Sequence, residues 1–216
     1  MSRIAVVDFG TGNLRSVQKA LEHVAPKATV QVTDDPGWIA SAARVVFPGQ
    51  GAIGSCVRTL ESKGLRPVLI EALERKPFLG ICLGLQALFE FSEEDGGTPC
   101  FGALAGRVRH FRGLQNGVTD NGIPYKIPHM GWNTVAQRHP HPLWRGIPDN
   151  SRFYFVHSFA PVSAADEQIY GETEYGCRFT AAAGRDHLFA VQFHPEKSQR
   201  YGLQLLENFV QWDGTV

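Results

Sequence analysis

Three short stretches hold the residue types that nucleophilic chemistry needs. In Gly80-Ile81-Cys82-Leu83-Gly84 a lone cysteine stands between two glycines, with an apolar run before it and a helical pattern after it. That is the form of a nucleophile elbow, a sharp strand-to-helix turn that thrusts one side chain out at the carboxyl edge of a sheet. Glycines remove the Cβ atoms that would clash in such a turn. Free N–H groups at a helix start favour the thiolate, the reactive form of cysteine, and the Leu83 N–H then serves as one oxyanion donor. Taken alone, the pattern equally fits an inert cysteine buried after a strand. A thiol nucleophile also needs a base, and the base an orienting group, brought near in space rather than in sequence. Far downstream, the run 188–193 delivers His194-Pro195-Glu196. Pro195 stops the strand, so that Glu196 can turn back toward one imidazole nitrogen of His194 while the other faces Cys82. The third stretch, Phe47-Pro48-Gly49-Gln50-Gly51, is glycine-rich and follows a strand-like run. Its backbone can approach a substrate closely, and the N–H groups of Gly49 and Gln50 can supply the second half of an oxyanion hole.

Chemistry of this kind requires a sheet edge that gathers the three stretches. Short apolar runs at 3–8, 29–32, 44–47 and 77–81 alternate with helical patterns at 13–23 and 65–75. Such alternation predicts an α/β fold, a doubly wound, mostly parallel sheet with helices on both faces. The second half is punctuated by turn signals at Asn121-Gly122, Ile147-Pro148-Asp149 and Tyr175-Gly176, which predicts a smaller antiparallel or mixed β region that includes 153–156. An amphipathic helix over 201–211 closes the chain, with Leu205, Leu206, Phe209 and Val210 facing the sheet. No repeat, low-complexity tract or linker divides residues 1–216, so a single domain is expected.

Lys plus Arg and Asp plus Glu are balanced at 21 each, which leaves no net field to gather nucleic acid or anionic lipid; a small substrate or a protein partner is expected instead. Four irregularly spaced cysteines suit a reducing compartment. Met1-Ser2-Arg3 leads straight into an apolar strand with no room for a leader, and no apolar run approaches spanning length, so a cytoplasmic protein is predicted.

Pro48-Gly49-Gln50-Gly51, Gly80-Ile81-Cys82-Leu83-Gly84-Leu85-Gln86 and His194-Pro195-Glu196, in this order and across essentially the whole chain, resemble the class I glutamine amidotransferases. Four further stretches resemble the glutaminase subunits of imidazole glycerol phosphate synthase: Asp8-Phe9-Gly10-Thr11-Gly12-Asn13-Leu14, Pro128-His129-Met130-Gly131-Trp132-Asn133, Tyr154-Phe155-Val156-His157-Ser158 and Phe193-His194-Pro195-Glu196-Lys197-Ser198. The resemblance implies a flavodoxin-like fold and glutamine hydrolysis through a Cys82–His194–Glu196 triad and a glutamyl thioester. It implies an oxyanion hole from Leu83, Gly49 and Gln50, and substrate contacts from Gly51, Gln86, Glu94, Ser158 and Phe159. It also implies a heterodimer with a (β/α)8-barrel cyclase subunit in histidine biosynthesis, docked through Asn13, Met130 and Trp132 on turns and through Lys197. Two positions depart from the pattern: Gln50 and Phe159 stand where the family more often shows valine and tyrosine, and the second change removes a hydroxyl.

No metal and no cofactor are expected. Gly10-Thr11-Gly12 lacks the third glycine of a dinucleotide loop. His139-Pro140-His141-Pro142 lacks helical metal spacing and reads as an exposed turn, and Glu93-Glu94-Asp95 reads as a solvated helix end. Other readings stay open: a different cysteine hydrolase, disfavoured because Leu83 rather than histidine follows the nucleophile; a noncatalytic flavodoxin-like module; and a glutaminase for another synthase, such as anthranilate synthase.

Overall fold

Ile4, Ala5, Val6 and Val7 are all fully buried, a state a strand reaches only when both faces of its sheet are covered. In the computed structural model, which describes residues 2–115 and 122–215, they form β1 (Arg3–Val7). The chain continues through α1 (Leu14–Val24), β2 (Thr29–Thr33), α2 (Pro36–Ser41), β3 (Arg44–Gly49), α3 (Ile53–Ser62), α4 (Leu65–Arg75), β4 (Phe78–Cys82) and α5 (Leu83–Leu88). It then lays down β5 (Phe91–Ser92), β6 (Thr98–Pro99), β7 (Gly106–His110), β8 (His129–Gln137), β9 (Ser151–His157), β10 (Phe159–Ser163), β11 (Ile169–Glu174), β12 (Arg178–Arg185), β13 (Leu188–Val191) and α6 (Gln199–Gln211).

Among the described residues, one nine-stranded sheet has the order β2-β1-β3-β4-β13-β12-β11-β8-β9. From β2 to β13 the pairings are parallel, and from β13 onward they are antiparallel. The antiparallel strands expected in the second half thus extend the parallel sheet, while β10-β7-β5-β6 make a second, four-stranded sheet. Alternation along β1 sorts the core. Ile4 and Val6 pack with Val17 and Leu21 of α1 and Leu205, Leu206 and Phe209 of α6. Ala5 and Val7 pack on the other face with Ile39 of α2, Leu60 of α3 and Leu65 and Leu69 of α4.

Several expectations need correction. The Pro128-to-Asn133 block is no turn: from His129 onward it is strand β8, with His129 buried and Met130 and Trp132 exposed. Period-2 alternation was masked there by glycine and by two large exposed apolar side chains. His141 is likewise not in an exposed turn. It is 7% exposed, among Tyr170, Phe189 and Trp212, and its Nδ1 accepts from the Leu143 N–H. The Tyr175-Gly176 turn is present, with the Tyr175 N–H donating to the Cys177 carbonyl, whereas Asn121 lies outside the described residues.

Burial pushes His141 down to about 4 and His129 to about 4. A histidine depressed below its unfolded value takes up a proton on unfolding, so its stabilisation is complete above about 6.5 and is lost as pH falls toward about 4. Unfolding free energy from urea titrations is therefore expected to drop from pH 7 to pH 5. His141→Asn, which keeps a side-chain acceptor for Leu143, should flatten that drop by on the order of 1–2 kcal/mol. An unchanged pH slope in the variant would contradict this account of His141.

Candidate active site

Three neighbouring strands bring the chemistry together. β3, β4 and β13 lie side by side and run parallel, with Gly49 opposite Cys82 and Val191 opposite Ile81. Their carboxyl ends therefore deliver the Pro48-to-Gly51 loop, the thiol and, three residues past Val191, His194 to one edge. Cys82 has φ +55° and ψ −106°, a conformation L-residues rarely hold, between strand β4 and helix α5. The flanking glycines permit it. A Cβ on Gly84 would overlap the carbonyl oxygen of Phe47, and one on Gly80 would come within 2.9 Å of Ala190 Cβ and Leu88 Cδ1. The elbow is thus held by the close approach of β3, β13 and α5 around it.

His194 Nδ1 lies 2.8 Å from Glu196 Oε1, with both side chains almost fully buried. The other ring nitrogen, Nε2, is buried without a hydrogen-bond partner, which leaves it open to the neighbouring Cys82. Burial works against charge on His194, but its coupling to Cys82, joined by Glu196, outweighs burial and raises the imidazole to about 10. Glu196 thus occupies one ring nitrogen of His194 and leaves the other on the side of the thiol.

A cavity of about 380 Å³ opens over the thiol, lined by Gln50, Gly51, Cys82, Leu83, Gln86, Glu94, Val156, His157, Ser158, Phe159, His194 and Lys197. Gly49, Asn13 and Glu196 line the adjoining crevice with His194 and Gln50. Among the sequence candidates only Met130 and Trp132 stand apart, on the exposed face of β8. The surface holds larger depressions, one of about 760 Å³ at the amino end of β13 around His187 and Leu188. It contains no thiol, so chemistry rather than size selects the site.

Glu94 is not on a solvated helix end. It lies in a single 3-10 turn, half-buried, and its Oε2 accepts from the Ile53 N–H at 2.8 Å. Burial pushes its carboxyl up while that N–H opposes the shift. Gln86 does lie on a helix, but buried: its Nε2 donates to the Phe159 carbonyl and to Gln192 Oε1, both at 3.0 Å. Three residues at the site were unassigned from sequence, Val156, His157 and Gln192. The signal for Gln192 was a lone amide inside an apolar strand run, a polar group that burial obliges to find partners. Among the described residues no group of three His, Cys, Asp or Glu side chains is placed to hold a metal ion, and no helix is long and apolar enough to cross a membrane.

The other thiols sit in different surroundings. Burial pushes Cys56 up to about 12 and Cys100 to about 11, and it also raises half-buried Cys177. Brief treatment of the native chain with iodoacetamide at neutral pH should alkylate Cys82 at least about tenfold faster than the other three, since thiolate fraction controls the rate. Peptide mass mapping reads this out, and faster labelling of Cys56, Cys100 or Cys177 would remove Cys82 from the candidate role.

The glutamine amidotransferase class-I family profile matches residues 5–212. The chain is 56% identical over 212 residues to the imidazole glycerol phosphate synthase subunit HisH of Aromatoleum aromaticum, covering 98% of this chain and 99% of that one. It is 51% identical to the subunit of the same name from Nitrosococcus oceani, covering 99% of both. Among solved structures it shares its fold with a putative GMP synthase subunit from Thermoplasma acidophilum, at TM-score 0.69 and 20% identity over 98% of this chain and 93% of that one. A Thermotoga maritima glutamine amidotransferase has the same fold, at TM-score 0.60 and 17% identity over 97% and 83%. The chain therefore belongs to the class-I glutamine amidotransferases and, within them, to the HisH subunits of imidazole glycerol phosphate synthase.

Proposed function

We propose that residues 1–216 act as one glutaminase domain in the cytoplasm, hydrolysing glutamine to glutamate and ammonia and passing the ammonia to a (β/α)8-barrel cyclase subunit in a heterodimer. That subunit uses it to make imidazole glycerol phosphate and AICAR in histidine biosynthesis. The observation that carries the reading is the convergence of Cys82, His194 and the Pro48-to-Gly51 loop at the carboxyl ends of three adjacent parallel strands.

The Cys82 thiolate attacks the side-chain amide carbon of glutamine, and the oxyanion is held by N–H groups of Leu83, Gly49 and Gln50. His194, carrying the thiol proton and steadied by Glu196, gives that proton to the departing amine as the C–N bond breaks, leaving a glutamyl thioester. It then takes a proton from the water that attacks the thioester and returns it to the Cys82 sulfur as glutamate leaves. Gly51, Ser158, Phe159 and the half-buried Glu94 surround the glutamine backbone groups, with the Glu94 carboxylate facing its ammonium. The Gln86 amide nitrogen is already committed within the protein, so its carbonyl oxygen is the atom left for substrate.

Docking falls to the exposed face of β8 and to residues that border the cavity and its adjoining crevice. Met130 is 63% and Trp132 37% exposed. Trp132 packs edge-on to Tyr154, and Lys197 Nζ lies over the same Tyr154 ring. Asn13 is exposed on the first βα loop. Aromatic anchors of this kind carry much of an interface's energy, and a lysine at the rim suits a carboxylate of the partner. The oxyanion loop is joined to the first βα loop through Thr11, whose hydroxyl donates to the Gln50 carbonyl at 2.9 Å. Gly51, at φ +94° and with open space where a Cβ would sit, allows the loop peptides to turn. The gating we propose is a turn of this loop that brings the Gln50 N–H onto the oxyanion only when the liganded partner biases it.

Glutamine hydrolysis is accordingly slow for the chain alone and fastest with the cyclase partner and its ligand. Ammonia release measured for the chain, for the pair, and for the pair with ligand tests this, and equal rates in all three would refute both gating and partner. Cys82→Ala should abolish hydrolysis while leaving circular dichroism and thermal unfolding unchanged. Trp132→Ala should weaken assembly roughly 30-fold, the scale of an interface hot spot, as read by titration calorimetry.

A further inference from the structure

Helix α5 has six residues, too short to supply a full macrodipole to the thiolate it follows. A thiolate in a buried pocket needs donors, and the structure holds one that the triad does not use. Gln192 is fully buried, and its Nε2 lies 3.6 Å from Cys82 Sγ, within reach of an N–H···S hydrogen bond.

Its orientation follows from its neighbours. Gln192 Oε1 accepts from Gln86 Nε2 at 3.0 Å, so the NH₂ end must face the sulfur. Gln86 is fixed in turn, because its NH₂ also donates to the Phe159 carbonyl at 3.0 Å. Turning it over would set its carbonyl oxygen against two other carbonyl oxygens. The Phe159 carbonyl also lies 2.7 Å from His157 Nδ1. A carbonyl only accepts, so Nδ1 carries the His157 proton and Nε2 accepts from His129 Nδ1 at 3.0 Å. His129 Nε2 then accepts from the Asn133 amide at 3.3 Å, whose nitrogen also donates to the Glu174 carbonyl at 2.9 Å. Each donor in the series meets an acceptor, from β8 through β9 to the nucleophile.

We propose that Gln192 is a further catalytic residue, its amide donating to the Cys82 thiolate, and that Gln86 is the positioning residue that keeps the amide turned toward the sulfur. A donor to the sulfur stabilises the thiolate before attack and again as leaving group when the thioester is hydrolysed. The inference rests on the reading of Cys82 as nucleophile.

The test uses the full chain, with iodoacetamide as the probe of Cys82 and glutamine hydrolysis measured in the assembled synthase. Gln192→Met keeps volume and removes the donor; Gln192→Glu keeps shape and turns a carboxylate oxygen toward the sulfur. In Gln192→Met the midpoint of the pH–rate curve for Cys82 alkylation should rise by about one pH unit, and in Gln192→Glu by more, as expected for a lost hydrogen bond to a charged group. The same loss should lower kcat by about tenfold with little change in KM. Gln86→Leu should move the alkylation midpoint in the same direction, by freeing the Gln192 amide to turn. Folded variants with the wild-type midpoint and kcat would overturn the proposal. If the variants fail to fold, the wild-type chain still decides. The Gln192 side-chain ¹H–¹⁵N resonances should titrate at the midpoint of Cys82 alkylation and shift when Cys82 is alkylated, and resonances that do neither would overturn it. Wild-type alkylation at a thiol other than Cys82 would defeat the nucleophile reading itself, whereas normal Cys82 alkylation with unmoved Gln192 variants would defeat only the amide donor.

Discussion

The left-handed backbone at Cys82 is the constraint from which the rest of the site follows. A non-glycine residue at φ +55° persists only where its surroundings over-determine it, and here they do so through contact distances. The Phe47 carbonyl fills the space a Gly84 side chain would need, and Ala190 and Leu88 fill that of Gly80. Those contacts come from β3, β13 and α5, the neighbours on either side of β4 and the helix that follows it. The sheet order that brings the loop, the thiol and His194 to one edge is thus the same packing that holds the thiol in its strained turn. Relaxing the elbow would require separating strands whose apolar faces are fully buried.

Electrostatics then separates four buried histidines by what each one faces. His129, His141 and His157 are pushed down by burial, to about 4, 4 and 3; at His157 the Phe159 carbonyl works the other way without overcoming burial. His194 is equally buried, yet it is carried upward because Cys82 and Glu196 flank it. Desolvation pushes all four down; Cys82 and Glu196 beside His194 carry that one the other way. The neutral ones are useful for being neutral, since a neutral imidazole can pass a hydrogen bond on, donating at one nitrogen and accepting at the other.

Much of this was legible in the sequence because single residues with strong local demands marked it. Glycines around a cysteine, a proline after a histidine, and apolar runs of four to six residues each point to one backbone geometry, and the strand edges and the α4 and α6 helices fall within a few residues of where those signals set them. What escaped depended on contacts distant in sequence. Helix α2 has six residues, too few to display a helical period, and is fixed by packing Ile39 on the sheet. Glu94 reads as solvated until the Ile53 N–H is brought to it across 41 residues of chain. Gln192 reads as one more strand residue until Cys82 stands beside it.

The stretch hardest to read, His129 to Asn133, explains its own ambiguity. A strand whose outward positions hold methionine and tryptophan and whose inward positions hold histidine, glycine and asparagine inverts the usual alternation of polar outside and apolar inside. Both inversions have a physical reason. Inward, His129 is buried and Asn133 half-buried, and both have partners for their polar atoms, which lowers the cost of burial. Outward, Met130 and Trp132 lie opposite Val156 and Tyr154 of β9 and form an apolar face left uncovered. The same pair of strands therefore has this uncovered apolar face on one side and, one residue away in each strand, the histidines of the series ending at Cys82 on the other. A strand pair cannot be shifted on one face without carrying the other with it, because successive side chains share a backbone.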